Sequence, residues 1–522
     1  MTTEDITQEW KPKASLLMIT IAVMLATFVE VLNSSIANVA LRTIAGSFSI
    51  SDDESLWIVT MFLIASSILL PATDWCCNVF GRKKFLLFCV ALFGVSAMVC
   101  GFAPNFEIML FGRICQGLGG GCLLPLSQAI LLESYPKHRQ GEAMAIFSTG
   151  VTIAPIIGPI LGGWLTTDFA WNYVFFVSVP FCIASFVMIL KFIEDPPYMK
   201  AAGWLKFDYI GFLLLIIWIS TFQIMADNGQ KNGWFDSPYI CKLGIVSLIS
   251  FIALIWWELK NKEPLFDLRI FKNWNFTFGT TIITMVFAIS FGSIAMLPQL
   301  LQRMLGYTSF LSGIAAAPMG LGTLLGTALT AMTSKLDMRI QLLNGLIIFS
   351  IGCYMFSDLN LSIAMGNIVL PNVVLGIGMT SVIIPATTII YSYVKNSEMT
   401  NASALQNLVK NVGCAIGTSS VGVLVSRYSQ IYQTNLVNRL NELNSVFSER
   451  LTAMTANFIG LGNDFFSAQK MALANINGQL LQQSTLSAYM MSYKVYAFAT
   501  IVVIPLVFIL KKCGQNNNAK ED

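Results

Sequence analysis

The sequence predicts an all-α polytopic membrane protein, and three observations predict it. Of 522 residues, 55% are hydrophobic and 11% are charged, against about 25% charged in soluble domains. Mean hydropathy is +0.68. The apolar residues gather in runs of about twenty, the length at which a helix crosses the ~30 Å hydrocarbon core of a bilayer.

Taken in order, the runs fall near 15–38, 55–73, 85–103, 107–130, 142–165, 172–193, 208–226, 238–258, 276–301, 310–332, 341–357, 364–391, 400–426 and 488–510, which makes fourteen spans. The segment before the first, Met1 to Lys13, is polar and begins acidic. It lacks the basic n-region and cleavage site of a signal peptide, so the first run is expected to stay as a helix. Basic residues collect in alternate loops: Arg82, Lys83 and Lys84; Lys137 and Arg139; Lys206; Lys260 and Lys262; Arg269 and Lys272; Lys335 and Arg339; Lys395; and Lys511 with Lys512 at the end. The other short loops hold fewer, among them Arg42, Lys231, Lys242 and Arg303. Short basic loops stay in the cytoplasm, so both termini are expected there, as an even number of spans requires.

Composition also limits the chemistry. The net charge of +3 is small and no basic tract points to nucleic acid. The one histidine, His138, sits in a short basic loop, which argues against histidine catalysis or a histidine metal cluster. The eleven cysteines lie in apolar runs, apart from Cys241 and Cys513 near run ends, and show no ligand or disulfide spacing. No G-x-x-x-x-G-K-[ST] pattern occurs, so ATP is not expected to drive the protein directly.

The most informative stretch is Ala154-Pro155-Ile156-Ile157-Gly158-Pro159-Ile160-Leu161-Gly162-Gly163, inside the fifth span. Ala154, Gly158 and Gly162 fall one per turn on one face, where a second helix can approach to backbone contact. Pro155 and Pro159 interrupt the hydrogen-bond ladder and should bend the helix. Small residues at this spacing are also a common packing device in membrane proteins, but the whole string is more specific. It resembles the antiporter motif of drug–proton antiporters.

Other pieces resemble the same family in the same order. Leu32-Asn33-Ser34-Ser35-Ile36-Ala37-Asn38 looks like its first-helix signature. Gly81-Arg82-Lys83 is similar to the end of the superfamily's loop motif, and Arg113-Ile114-Cys115-Gln116-Gly117 matches its R-x-x-Q-G. Gln223, Asp227, Gly229, Trp234 and Phe235, then Leu297-Pro298-Gln299-Leu300 with Gly306-Tyr307, look like the EmrB branch. On these residues the chain resembles the fourteen-helix drug–proton antiporters of the major facilitator superfamily, and among them the EmrB-type multidrug exporters. Three positions depart from the pattern: Asn33 where an aspartate is usual, Asp74 where the loop motif opens with glycine, and Asn78 at its inner carboxylate.

The resemblance implies a major facilitator fold with two six-helix halves and two inserted helices. Similar basic loops after the second and tenth spans, at Gly81 to Lys84 and Lys335 to Arg339, hint at that repetition. The expected division is 1–193, an insertion at 194–275, and 276–522. The resemblance also implies proton-coupled export of apolar or amphipathic toxic compounds, with the proton gradient as energy source and no cofactor. It implies a bacterial inner membrane, a periplasmic EmrA-like adaptor and an outer-membrane channel. Uptake or export of another specific small molecule on the same scaffold is the alternative, because fold does not fix function. A membrane-embedded enzyme is disfavoured, since no His or Cys constellation and no acid pair at catalytic spacing occurs.

Ionisable residues inside spans are costly and tend to be functional. Glu30 lies well inside the first span; it is either a proton site or a carboxylate held only to hydrogen-bond. Arg113, within the fourth, is either a structural clamp or, as the family implies, part of a proton relay with Asn33 and Gln116. Glu30 is expected to pair with Arg113 when deprotonated and to separate from it when protonated, because the two lie at similar depth, roughly 10 and 9 Å from the outer surface at ~1.5 Å per residue. Gly158, Pro159, Gly162 and Gly163 form the expected hinge, and Asp74, Gly81, Arg82 and Lys83 the inner gate loop. Lys410, roughly 16 Å deep at ~1.5 Å per residue, should face the central cavity as a site for anions or a fixed countercharge. Lys494 suits snorkelling, Glu133 a surface pair with Lys137 and Arg139, and Asp227 a capping or loop role. The 24 methionines and 37 phenylalanines suit a promiscuous apolar pocket, though most must face lipid or packing neighbours.

The connection 427–487 is far longer than the other outer loops. Leu436, Leu440, Leu443 and Phe447 recur there at helical spacing and predict an amphipathic outer helix. Such a helix either caps the bundle or docks the adaptor.

Overall fold

Several membrane helices begin where a polar side chain meets an apolar run. The computed structural model describes residues 15–135, 147, 153–154, 157–195, 207–230, 232–261, 264–333, 336–358, 360, 365–392, 394, 399–438, 440 and 444–511. Helix α1 is Leu16–Phe48, α2 Trp57–Leu69 and α3 Arg82–Gly101. They are followed by α4, Phe106–Leu131, α5, 157–164, and α6, Tyr173–Phe192. The inserted helices are α7, Tyr209–Asn228, and α8, Pro238–Lys260. Next come α9, Trp274–Met304, α10, Ser309–Met332, and α11, Met338–Asp358. The last four are α12, Gly366–Tyr391, α13, Met399–Val437, α14, Ser445–Gly460, and α15, Phe465–Ile509.

The caps are explicit. Asn105 accepts from the amide of Ile108, Asp208 from Gly211, Thr308 from Leu311 and Asp464 from Ser467. Such bonds satisfy helix N–H groups that have no partner within the helix.

Twelve helices among the described residues are long and apolar enough to cross a membrane: α1, α3, α4, α6 to α13 and α15. Of the other two expected spans, one is shorter here and one is described only in part. α2 has 13 residues and is followed, after a turn, by the separate helix Thr73–Phe80. Part of the fifth span, including Pro155, lies outside the described residues, and its described part ends in a π-helical turn, Leu165–Phe169.

Packing separates two groups. In the first, α1 packs on α4 and α6, α2 on α4, and α3 on α4 and α6. In the second, α12 packs on α9, α10 and α11, while α15 packs on α9, α11 and α13. The groups meet where α2 packs on α13, α1 on α9 and α10, and the π turn after α5 on α10. The inserted helices pack on each other, and α7 also packs on α2 and α13.

The connection 427–487 differs from its expected form. α13 has 39 residues and α15 has 45, roughly 58 and 68 Å at ~1.5 Å per residue. Both exceed the ~30 Å core and continue outside it as a hairpin closed by α14, which packs on α15. Arg450 Nη2 donates to Gln479 Oε1 at 2.7 Å within this hairpin. The expected amphipathic helix across 436–447 is interrupted: α13 stops at Val437, and α14 starts at Ser445 with Asn444 as its cap. Leu443, part of that expectation, lies outside the described residues. The side bearing the hairpin is called distal below, and the side bearing Gly81 and Asp208 proximal.

Candidate functional site

Arg113 on α4 is 0% exposed. Its Nε donates to the carbonyl of Ile58 at 2.8 Å, and its Nη1 donates to Asn33 Oδ1 at 2.7 Å and Gln116 Oε1 at 2.8 Å. Asn33 Nδ2 donates in turn to Ser178 Oγ at 3.1 Å. The guanidinium lies 4.7 Å from the ring centroid of Phe62 and 5.7 Å from that of Phe175. One cation thus joins α1, α2, α4 and α6. Gln116 can reach it because residues three apart share a helix face. Gly117 lets α2 approach, since a Cβ there would lie 2.8 Å from Ala65 Cβ and closer still to the Phe62 carbonyl. Arg113 Nη2 and Gln116 Nε2 are buried without hydrogen-bond partners.

The expected pairing of Glu30 with Arg113 is not made. Glu30 precedes Asn33 by three residues, a rotation of about 60° round the helix axis, and Asn33 fills the guanidinium fork that Glu30 would need. Glu30 Oε2 is buried without a hydrogen-bond partner. Lys410 Nζ on α13 donates to Asn407 Oδ1 at 2.7 Å and lies 5.3 Å from the ring centroid of Phe287. Beside it, Asn411 Nδ2 donates to Ser66 Oγ of α2 at 3.4 Å. Glu30 thus lies on α1 of the first group and Lys410 on α13 of the second.

The small residues of α5 make the close approaches their spacing predicts. A Cβ on Gly158 would lie 2.5 Å from Ser35 Cβ, and one on Gly162 would lie 3.0 Å from the Ile36 carbonyl, both on α1. Gly163 faces the second group instead, where a Cβ would lie 2.6 Å from Phe310 Cα. Gly313 of α10 in turn closes on the Pro159 carbonyl. Polar ties hold the same distal end. Gln302 Nε2 donates to the Val39 carbonyl at 3.1 Å, the Phe310 amide donates to Thr167 Oγ1 at 3.1 Å, and Arg303 lies 3.5 Å from Asp52.

At the proximal side Gly81 has φ +85°, a conformation that favours glycine. It opens α3, and the Lys83 amide donates to Asp195 Oδ1 at 2.7 Å while Lys83 Nζ donates to the Leu190 carbonyl at 2.8 Å. Asp195, just past α6, thus fastens the loop to the start of α3, where the helix dipole favours an anion. Arg82 lies in the first turn of α3 and Asp74 on the helix Thr73–Phe80; the Asp74 and Glu133 side chains lie outside the described residues. Asp195 went unread in the sequence because its partner lies 112 residues earlier.

Asp227 is not the expected cap or loop residue. Its carboxylate joins Gln223 of its own helix to Ser419 of α13. The described residues contain no group of three or more His, Cys, Asp or Glu side chains placed to hold a metal ion.

Comparison with known proteins agrees with this architecture. The Major Facilitator Superfamily profile matches residues 23–418. The multidrug export protein EmrB of Escherichia coli is 33% identical over 97% of this chain and 97% of its own length. The probable multidrug resistance protein EmrY of the same organism is 32% identical over 94% and 95%. The fatty acid resistance protein FarB of Neisseria gonorrhoeae is 32% identical over 95% and 96%. Among solved structures, a peptide transporter POT in complex with sulfate aligns with a TM-score of 0.65 at 11% identity, covering 98% of this chain and all of that one. An inward-facing bacterial homologue of the lysosomal transporter Spinster gives 0.61 at 17% identity, covering 95% of this chain and 96% of its own. The chain belongs to the major facilitator superfamily, alongside the EmrB and EmrY multidrug exporters, and is a multi-pass transporter rather than an enzyme.

Proposed function

We propose that this transporter exports apolar or amphipathic toxic compounds in exchange for protons, by alternating access between two six-helix halves divided at 193 and 275. The observation that carries the reading is the buried Arg113, Asn33 and Gln116 network, with the unpartnered carboxyl oxygen of Glu30 one turn away on α1. A carboxyl group placed between a low-dielectric interior and one cation across a moving seam changes its proton affinity when the seam opens. Glu30 is then the proton carrier, Lys410 its countercharge, and Arg113 with Asn33 and Gln116 the frame that fixes α1.

Gly158, Pro159, Gly162 and Gly163 serve as the pivot, where α5 touches both α1 and α10. Gly81, Arg82, Lys83 and Asp74 serve as the proximal gate, held in this state by Asp195. The proximal side is the cytoplasmic one, as the basic loops indicate, with both termini inside and the protein in a bacterial inner membrane.

The distal hairpin suits an adaptor. Leu461, Phe465 and Phe466 near its tip are 72%, 57% and 74% exposed, an apolar patch well outside the bilayer of the kind that marks interaction sites. We assign it to a periplasmic EmrA-like adaptor that leads to an outer-membrane channel.

A narrower reading, export of acidic amphiphiles, is favoured by the half-buried ammonium of Lys410 and by the name of FarB. A growth-inhibition panel in a pump-deficient host, with and without the chain, separates the two readings. Protection against many unrelated lipophilic drugs supports the broad reading, and protection against fatty acids alone supports the narrow one. No protection against any compound would count against export altogether.

A further inference from the structure

The inserted helices have had no role so far, yet α7 lies across the seam, on α2 of one half and α13 of the other. An apolar face would suffice to fill that place. Instead α7 carries Gln223 and Asp227, one turn apart at its distal end. Gln223 is 1% exposed; its Nε2 donates to Asp227 Oδ1 at 3.0 Å, to the Ala415 carbonyl at 3.3 Å and to Ser419 Oγ. Ser419 Oγ in turn reaches both Asp227 Oδ1 and, at 3.0 Å, the Ala415 carbonyl. Asp227 Oδ2 is buried without a hydrogen-bond partner.

Hydrogen counting makes this site two-valued. A serine hydroxyl has one hydrogen, and Ser419 has two acceptors for it. With Asp227 charged, Ser419 donates to the carboxylate. With Asp227 protonated, the carboxyl donates to Ser419, and Ser419 donates to the Ala415 carbonyl. The heavy atoms need not move. An unpaired carboxylate within a membrane is costly, and the hydrogen-bond partners of Asp227 among the described residues, Gln223 and Ser419, are both neutral. On α13, Lys410 lies nine residues proximal and Arg427 eight residues distal of Ser419. α2 carries no ionisable side chain, and α8 begins with Tyr239, Cys241 and Lys242. Lys231 lies outside the described residues.

We propose that Asp227 is a second proton-loading carboxyl, and that its proton state sets how firmly the insertion holds α13. The charged form ties α7 to α13 through the bond from Ser419 to a carboxylate; the loaded form leaves only neutral bonds between the two helices, which are weaker. Loading therefore frees the helix that carries Lys410 to shift along the seam. The proton comes from water at the distal end and returns to water. The proposal rests on the proton-coupled reading above, but it is tested without a drug.

The experiment is infrared difference spectroscopy of the full chain in liposomes, between mildly acidic and mildly alkaline medium. The wild type should show titrating carboxylic-acid C=O bands. Asp227→Asn, which keeps the shape and hydrogen-bonding of the loaded form, should lose one band, and Glu30→Gln should lose a different one. Ser419→Ala should shift the Asp227 band, because its hydroxyl partner is gone. An Asp227→Asn spectrum identical to the wild type overturns the proposal. If that variant does not fold, an unshifted band in Ser419→Ala overturns it instead. Loss of a band in Asp227→Asn but not in Glu30→Gln would leave this proposal standing and remove Glu30 as the proton carrier.

Discussion

Asn33 gives Arg113 an amide oxygen where an aspartate would give it a full charge. The buried cation is then held by three neutral acceptors and two aromatic faces. Lysine cannot reproduce that fork, because its single ammonium lacks the planar, spread donors of a guanidinium. Arg113→Lys should lower drug export at least about tenfold, the effect of roughly 1.4 kcal/mol at the transition state, at matched membrane expression. Export within twofold of the wild type would show that a positive charge alone suffices. Asn33→Asp should be tolerated, since the new carboxylate meets a waiting guanidinium. Combined with Glu30→Gln it should restore part of the lost proton coupling; a double variant as inert as Glu30→Gln alone would show that position 33 cannot take over the proton. Each of these residues stands out in the sequence as an ionisable or polar group in an apolar run. Their partners do not: Arg113 and Asn33 lie 80 residues apart in the chain, and periodicity reports which face a residue shares, not what the face meets.

At the scale of elements, the spacing of Gly158 and Gly162 foretold a close approach, and α1 makes it. A leucine at 158 would start 2.5 Å from Ser35 Cβ, so the helices must part. Overpacking of this kind costs about 1–3 kcal/mol. Gly158→Leu should therefore reach the membrane in near-normal amount yet export no drug, read by quantitative blotting beside a transport assay. Export at the normal rate would remove α5 as the pivot. The spans were legible because hydropathy and length decide them. The helical hairpin over 427–487 was not: its serines, asparagines and glutamines lower the hydropathy without stopping the helix. Leu436 and Phe447, read as one apolar helix face, instead lie on two helices, α13 and α14. The turn after α2 was hidden inside the apolar run 55–73, and the helix Thr73–Phe80 starts where that run ends.

For the whole molecule, the distal ends of the two groups are fastened by the α5–α10 contact, by Gln302 with Val39 and by Arg303 with Asp52, while the hairpin stands beyond them. Removing residues 445–463 should abolish co-purification of a coexpressed EmrA-like adaptor and leave drug binding by the purified chain within about twofold, less than 0.5 kcal/mol. Unchanged adaptor recovery would reassign the hairpin to capping the bundle. The central claim is that drug export consumes a proton gradient through Glu30. It is tested most directly by the full chain in liposomes carrying a pH gradient and a lumenal pH dye. For wild type, adding an exported drug should discharge the gradient; for Glu30→Gln, the drug should bind but discharge nothing. Wild-type discharge by Glu30→Gln, or export by the wild type that persists when the gradient is collapsed, would contradict the account.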